Sequence, residues 1–326
     1  MEKMKNVLYY NTDGDLAYEK GLLKQWGVDD LALYEVKDPD QSIGLSESLH
    51  KISAEGLVVI YDLVTEEIIK DNPSLQIISL QSVGYNNIDI EAANKYGVCV
   101  TNVPGYCADE VAEHTIGLML DLARSITFFD RTVQNGSWDL KRTYPMHRLQ
   151  GQTLGLVFFG AIPKKIAPVA ISLGMKVLVY APTKDADDLR KFGCEKADTL
   201  DQLLETSDFV SLHCPLIEGL TYHLIGRHEL SLMKKDAFLI NTARGAIVDE
   251  EALYHALVHH EIRAAAVDVI EDEANHKSRL LGLDNCIITP HSAFLSEDSY
   301  YEAKRRCLHN LVERLSDKGE GKYNSL

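Results

Sequence analysis

What this chain has little of narrows the field first. Positive charge is scarce: 33 lysines and arginines stand against 49 aspartates and glutamates, a net charge of −16. Such a surface repels phosphate backbones and anionic lipid, so direct nucleic-acid binding and membrane attachment are not expected. A small anionic substrate stays possible, because a pocket needs only one or two local cations. Long apolar runs are missing too. None approaches the roughly 18 residues of a spanning helix, and Asp121 interrupts the best candidate. The opening MEKMKNVLYY is charged and leads straight into a strand pattern, unlike a signal peptide. The six cysteines (Cys99, Cys107, Cys194, Cys214, Cys286, Cys307) form no C-x-x-C pair. Reduced, buried thiols in a cytoplasmic protein are therefore expected. No His/Cys/Asp grouping has metal-ligand spacing, and no serine occupies a nucleophile-elbow context, which leaves a hydrolytic triad without support.

One local shortage matters most: glycine in the stretch Gly151–Ala181, GQTLGLVFFGAIPKKIAPVAISLGMKVLVYA. Leu154–Phe159 reads as a buried strand and Ile162–Leu173 has helical spacing. Lys176–Tyr180 is a second strand, which makes one βαβ unit. Nucleotide folds hold a pyrophosphate at such a strand-to-helix turn, through G-x-G-x-x-G and an acid about twenty residues on. Here the six positions are Phe158, Phe159, Gly160, Ala161, Ile162 and Pro163, and the ribose position is Ala181. The pattern alone fits a plain βαβ unit as well as a nucleotide site. Still, Gly160 lets backbone approach a phosphate, and Ala161 and Ile162 keep N–H groups to donate. Pro163 falls in the first turn, where a missing N–H breaks no helical bond. Phe158 sits where the tight turn wants no side chain, and Pro168 predicts a kink.

Residues 1–101 alternate strands (Asn6–Tyr10, Ala32–Val36, Leu57–Tyr61, Gln76–Leu80, Val98–Thr101) with helices such as Ala17–Trp26 and Thr65–Lys70, an open parallel α/β domain. Asn102–Tyr106 is a Pro-Gly hinge. Asp109–Gln134 reads as one long helix, apolar on more than one face, which predicts a subunit interface and a homodimer. Gly136–Leu149 is an irregular arm carrying Trp138, Tyr144 and Pro145. Strands then resume at Phe209–His213, Ala237–Asn241, Ala264–Val269 and Cys286–Thr289. The amphipathic Ser296–Leu315 is long enough to return to the first domain, and the polar tail Ser316–Leu326 reads as loose.

Three strand ends hold residues suited to chemistry. Arg244, in NTARGAIVD, can grip a carboxylate with two parallel hydrogen bonds, or can be a surface ion pair. Asp268 and Glu273, in VDVIEDE, can orient a cofactor or a base, whereas Glu271 and Asp272 read as a solvated acidic loop. His291, in TPHSA, is the side chain type best suited to move protons near neutral pH.

With those residues in view, the chain resembles the D-isomer-specific 2-hydroxyacid dehydrogenases along nearly its whole length. SVGYNNIDIEAA (82–93), TNVPGYCADEVAEH (101–114), LMKKDAFLINTARGAIVDEEAL (232–253) and TPHSAF carry the likeness, with the spacing of Arg244, Glu273 and His291. YC-x-DEVA-x-H and RLQGQTLGL resemble the branch related to C-terminal-binding-protein corepressors. The resemblance implies two open parallel-sheet α/β domains. One is a flavodoxin-like substrate domain from residues 1–102 and 294–326. The other is a doubly wound, Rossmann-type dinucleotide domain over 103–293, with a helical dimerisation arm at 107–150. It implies an NAD- or NADP-dependent oxidoreductase acting on a small D-2-hydroxy or 2-keto acid bound between the domains. Arg244 would bind the carboxylate, and His291 paired with Glu273 would be the acid/base. Tyr61, Val83 and Gly84 would complete the substrate site. Gly160, Ala161, Ile162, Cys214, Pro215, Thr221, Thr242, Ala243 and Asp268 would line the coenzyme. The departures at Phe158, Pro163 and Ala181 leave a second reading, a weakly active or non-catalytic regulatory protein on the same scaffold. Thr183 and Lys184, just past Ala181, could receive a 2′-phosphate. Residue 274 is alanine where the family usually places a proline after Glu273.

Overall fold

The computed structural model describes residues 4–140, 145–323, 325 and 326. Tyr144 of the arm lies outside the described residues. The chain forms two compact units, one made of the chain up to Tyr106 and again from Ser296, the other spanning Cys107–Leu295.

In the first unit, strands β1 (Lys5–Tyr10), β2 (Leu31–Val36), β3 (Gly56–Val59), β4 (Ile77–Leu80) and β5 (Cys99–Thr101) alternate with helices. The helices are α1 (Ala17–Trp26), α2 (Leu45–Ile52), α3 (Glu66–Asp71) and α4 (Ile90–Tyr96). The sheet order is β2-β1-β3-β4-β5, all parallel. Runs such as GLVV and IISL are buried at every position because helices cover both faces of a parallel sheet. Asp89 starts α4 by accepting the Ala92 amide, and Gly97 ends it in the left-handed region at φ 73°. β3 stops at Val59, so Tyr61 stands in the following loop, 72% exposed.

The last helix of the chain packs on β3, β4 and α1 of this unit, burying Cys307, Leu308, Leu311 and Leu315. The segment after it is tied down rather than loose. The Ser316 hydroxyl and the Asp317 amide both donate to Asp30, and the Leu326 amide donates to the Val100 carbonyl at 2.9 Å.

The second unit opens with α5 (Ala108–Arg124) and α6 (Ile126–Gln134). The expected single helix is broken at Ser125, which takes φ 57°. Asp121 holds the break by accepting the Thr127 amide at 2.9 Å and the Thr127 hydroxyl. The apolar residues thereby split in two. α5 buries Val111, Leu118, Met119 and Leu122, whereas α6 buries none.

Seven strands follow: β6 (Thr153–Val157), β7 (Lys176–Tyr180), β8 (Glu195–Lys196), β9 (Phe209–Leu212), β10 (Phe238–Asn241), β11 (Ala264–Val267) and β12 (Cys286–Ile288). The intervening helices are α7 (Ala161–Ser172), α8 (Ala186–Arg190), α9 (Leu200–Thr206), α10 (Arg227–Leu232) and α11 (Glu250–Val258), and the closing helix of the first unit is α12 (Glu297–Leu315). The order is β12-β11-β10-β9-β6-β7-β8, all parallel, so the winding reverses between β6 and β9. The strand period sends neighbours to opposite faces: Phe238 and Ile240 join one apolar cluster and Leu239 the other. α7 runs unbroken past Pro168.

Candidate active site

The carboxyl ends of β10, β11 and β12, three adjacent strands, carry the chemistry-bearing residues of the second unit. Ligands of doubly wound sheets bind along this edge. After β10, the Asn241 side chain fixes the turn from both sides. Its amide donates to the Arg244 carbonyl at 2.8 Å and its oxygen accepts from the Ala243 amide at 3.0 Å. Thr242 is held by a 3.0 Å hydroxyl–hydroxyl bond to Thr115 of α5. The half-buried Arg244 follows, its Nη1 on the Ala243 carbonyl at 2.7 Å. Gly245 then passes so close to the next loop that a Cβ there would lie 2.0 Å from the Ile270 carbonyl oxygen. Only glycine admits that approach, and it sets the Arg244 turn directly against the loop leading to Glu273.

Past β11, Asp268 is almost wholly buried, with 1% exposure. Its carboxylate accepts the Ser292 and Ala293 amides, each at 2.9 Å, and the Thr289 hydroxyl at 2.5 Å. Thr289 in turn lies 3.0 Å from His114 Nε2. These bonds, with His291 N donating to the Asp268 carbonyl at 2.7 Å, hold the turn that carries His291 at φ 50°, in the left-handed region. Asp268 is thus the clamp of the histidine turn.

His291 Nδ1 lies 2.9 Å from Glu273 Oε2, both side chains about one-third exposed. Burial alone would raise the Glu273 carboxyl. The hydrogen bond and charge of His291, the Ile270 backbone and the charge of Arg244 outweigh it and hold the carboxyl below its ordinary value. Arg244, Glu273 and His291 therefore share one electrostatic site. With Nδ1 committed to Glu273, Nε2 is the ring nitrogen outside that bond.

Further along the same edge lies the strand-to-helix turn. Phe158 adopts φ 72°, the conformation for which this position favours glycine. Its ring packs against the apolar cluster on one face of the sheet, while Phe159, 4% exposed, packs into the cluster on the other and against Phe192. The Phe158 ring does not reach Gly160. A Cβ built on Gly160 meets nothing within 4 Å, no side chain caps α7, and the first amide to return a helical bond to Gly160 is that of Lys164. The Ala161 and Ile162 amides stand in the first turn of α7, where no helical carbonyl is available to them. Ala181, 2% exposed, belongs to the apolar core and offers no acid to a ribose, whereas Thr183 beyond it is exposed. After β9, Cys214 is buried, Pro215 is exposed and Thr221 closes the loop. The Thr221 hydroxyl donates to the Pro215 carbonyl and accepts from the Ile217 amide, each at 2.6 Å.

Tyr61, Val83 and Gly84 belong to the first unit, where they follow adjacent strands β3 and β4 at the carboxyl edge of that sheet. Asn102 pins the Val83 carbonyl at 2.8 Å and Ser82 the Gly84 carbonyl at 2.7 Å. Sequence reasoning passed over Asn241, His114 and Gly245, whose roles are contacts that no motif announces. Glu271 is exposed, as the acidic loop predicts, and it also accepts from His223 Nε2 at 2.9 Å and the Glu250 amide at 3.1 Å. Among the described residues no group of three or more His, Cys, Asp or Glu could hold a metal ion, and no helix is long and apolar enough to cross a membrane.

This architecture and site agree with what comparison with known proteins gives. The family profile for the D-isomer specific 2-hydroxyacid dehydrogenase NAD binding domain matches residues 116–293. A glyoxylate reductase of Thermococcus litoralis is 40% identical over 261 residues, 78% of each chain. A D-3-phosphoglycerate dehydrogenase of Methanocaldococcus jannaschii is 39% identical over 82% of this chain, which spans about half, 51%, of that relative's length. The crystal structure of D-lactate dehydrogenase from Aquifex aeolicus, complexed with NAD and lactic acid, superimposes with a TM-score of 0.80 at 32% identity, covering 93% of both chains. The chain belongs to the D-isomer specific 2-hydroxyacid dehydrogenase family.

Proposed function

We propose that this protein is an NAD- or NADP-dependent oxidoreductase that interconverts a small 2-keto acid and its D-2-hydroxy acid. One observation carries the reading: Arg244, Glu273 and His291 converge at three adjacent strand ends, with His291 Nδ1 bonded to Glu273 at 2.9 Å. When bound, the coenzyme supplies or accepts the hydride. Arg244 grips the substrate carboxylate and fixes the neighbouring carbonyl carbon. His291 holds a proton at Nε2 and delivers it to the substrate oxygen as negative charge grows there. Glu273, kept ionised, fixes the ring and offsets its positive charge. Arg244 and His291 both place positive charge where the transition state needs it.

Ala161 and Ile162 amides beside Gly160 would receive the diphosphate. Cys214, Pro215 and Thr221 would line the adenosine side, with Thr242, Ala243 and the Asp268 clamp at the nicotinamide end. Without an acid at Ala181 a ribose diol loses a hydrogen bond of about 1.5–3 kcal/mol. Rejection of a 2′-phosphate goes with it, which keeps NADP in the reading as the alternative to NAD. Six free thiols support a reducing, cytoplasmic setting. The exposed apolar row on and after α6, with Ile126 58%, Val133 46%, Trp138 93% and Leu140 87% exposed, supports a homodimer built through this arm.

The test is titration of the purified chain with NADH and NADPH by nicotinamide fluorescence, followed by a panel of 2-keto acids. Arg244→Ala is expected to abolish turnover while coenzyme affinity stays within about threefold, because the guanidinium acts on the substrate and its transition state rather than on the coenzyme. Absence of binding of both coenzymes at millimolar concentration overturns the reading, and normal turnover by the variant overturns the role of Arg244.

A further inference from the structure

The acidic loop after β11 carries a second carboxylate besides Glu273. Glu271 Oε1 accepts two hydrogen bonds, from His223 Nε2 at 2.9 Å and from the Glu250 backbone amide at 3.1 Å. Glu250 answers in kind: its Oε2 accepts the Glu271 amide at 3.2 Å, and its Oε1 accepts the Arg279 amide at 3.3 Å. Each of two acids thus holds the other's backbone. Glu250 is the first residue of α11, so its N–H has no partner within the helix, and a carboxylate satisfies it with favourable dipole geometry.

The third member, His223, comes from the loop that Thr221 closes. Its ring stacks on Tyr222 with centroids 4.0 Å apart, and its backbone sits at φ 49°. The same loop is stitched to the segment after Arg244. His223 N donates to the Ala246 carbonyl at 2.8 Å, Ile225 N to Ile247 at 3.0 Å, and Asp249 N back to Ile225 at 3.0 Å. Three loops therefore meet at Glu271. One follows β9, one carries Arg244, and one carries Glu273. The residue lies two positions before Glu273, and the backbone it anchors is the one that Gly245 touches.

We propose that Glu271 is a positioning residue for the reaction: its clasp on His223 and the α11 amide sets the spacing between Arg244 and the Glu273–His291 pair. This rests on the reductase reading of the site. The clasp acts through geometry rather than charge, because both incoming bonds end on the single atom Oε1. A glutamine presenting its carbonyl oxygen there keeps both, whereas alanine removes both. Released, the loop lets Glu273 drift from Arg244, and a misplacement of about 1 Å at such a site costs on the order of 10²-fold in rate.

The experiment compares wild type, Glu271→Ala and Glu271→Gln by steady-state kinetics on a keto acid that the wild type reduces. NADH affinity by fluorescence and backbone hydrogen exchange without coenzyme complete the comparison. Glu271→Ala is expected to lose about tenfold or more in kcat, with NADH affinity within about threefold, and Glu271→Gln to recover most of the rate. In exchange, segments 244–250 and 268–280 open faster in the alanine variant alone, while β1 and α12 do not change. Wild-type kcat in Glu271→Ala, equal impairment of both variants, or unchanged exchange at both segments overturns the proposal. A wild type that turns over no keto acid overturns the reductase reading instead, and the exchange comparison then decides the clasp by itself.

Discussion

Substituting Gly245 isolates one physical cause. Its φ lies outside the left-handed region that disfavours side chains, so Gly245→Ala meets no conformational penalty of the backbone. What it meets is the wall formed by the next loop. The added carbon would stand 2.0 Å from the Ile270 oxygen, 2.1 Å from its carbonyl carbon and 2.7 Å from the Glu271 nitrogen, all backbone atoms. Cβ atoms do not approach backbone within 3.0 Å, so one loop has to retreat by about an ångström. Overpacking of that kind costs about 1–3 kcal/mol, and at about 2–4 °C per kcal/mol the melting temperature falls by several degrees. The functional effect is expected to exceed the structural one. Arg244 is displaced from Glu273 and His291, and kcat/KM for a keto acid falls on the order of 10²-fold. The Gly160 turn, proposed for the diphosphate, follows a strand two removed from β10, so NADH affinity is expected to stay within about fivefold. Scanning calorimetry, nicotinamide fluorescence and steady-state kinetics read the three quantities. A variant with unchanged melting temperature and unchanged kcat/KM would refute the close packing of the two loops and the role given to it.

Other outcomes follow from the same geometry. Gly160→Ala is expected to leave stability within about 0.5–1 kcal/mol, since its Cβ meets open space, yet to weaken NADH and NADPH binding, as fluorescence titration would register. Phe158→Gly should be more stable than Phe158→Ala by about 1 kcal/mol in urea denaturation, because both lose the ring but only glycine escapes the left-handed strain at φ 72°. Burial alone would raise the Asp38 carboxyl, but bonds from Tyr10, Gly44, Ile43 and Ser42 hold it at about 2. Its contribution is therefore full above an unfolded value of about 3.9 and lost as pH falls through about 2. Asp38→Asn should remove that acid limb from the denaturation profile of the first unit and lower stability at neutral pH. The proposed homodimer arm predicts that Ile126→Glu shifts the mass in solution, by light scattering, from dimer to monomer with little change in coenzyme binding.

Much of the fold was legible because parallel strands covered on both faces must be apolar throughout, and VLYY, GLVV, IISL and FLIN stand out between polar helices. Arg244, Glu273 and His291 were legible because each follows such a run, where a charged or titratable side chain has few structural reasons to be. Other features could not be read that way. The break at Ser125 depends on Asp121 reaching across to Thr127, and serine there gives no glycine-like signal. The C-terminal segment looked loose because its partners, Asp30 and Val100, are far away in sequence. Phe158 looked like an obstruction, since a pattern of residue types does not say which way a ring turns. Glu271 is solvated as its loop suggested, but its partners were not legible, because they are set by loops that meet only after folding.

The winding order of the seven-stranded sheet has one more consequence. Four strand spacings separate β6 from β12, about 19 Å at ~4.8 Å each. The end proposed to grip phosphates and the end proposed to handle protons are thus mounted on one continuous sheet. Rewriting the letters at one mark, as at Phe158, Pro163 and Ala181, does not move the other. On the proposed reading, coenzyme preference and acid–base chemistry can therefore be altered one at a time in this chain.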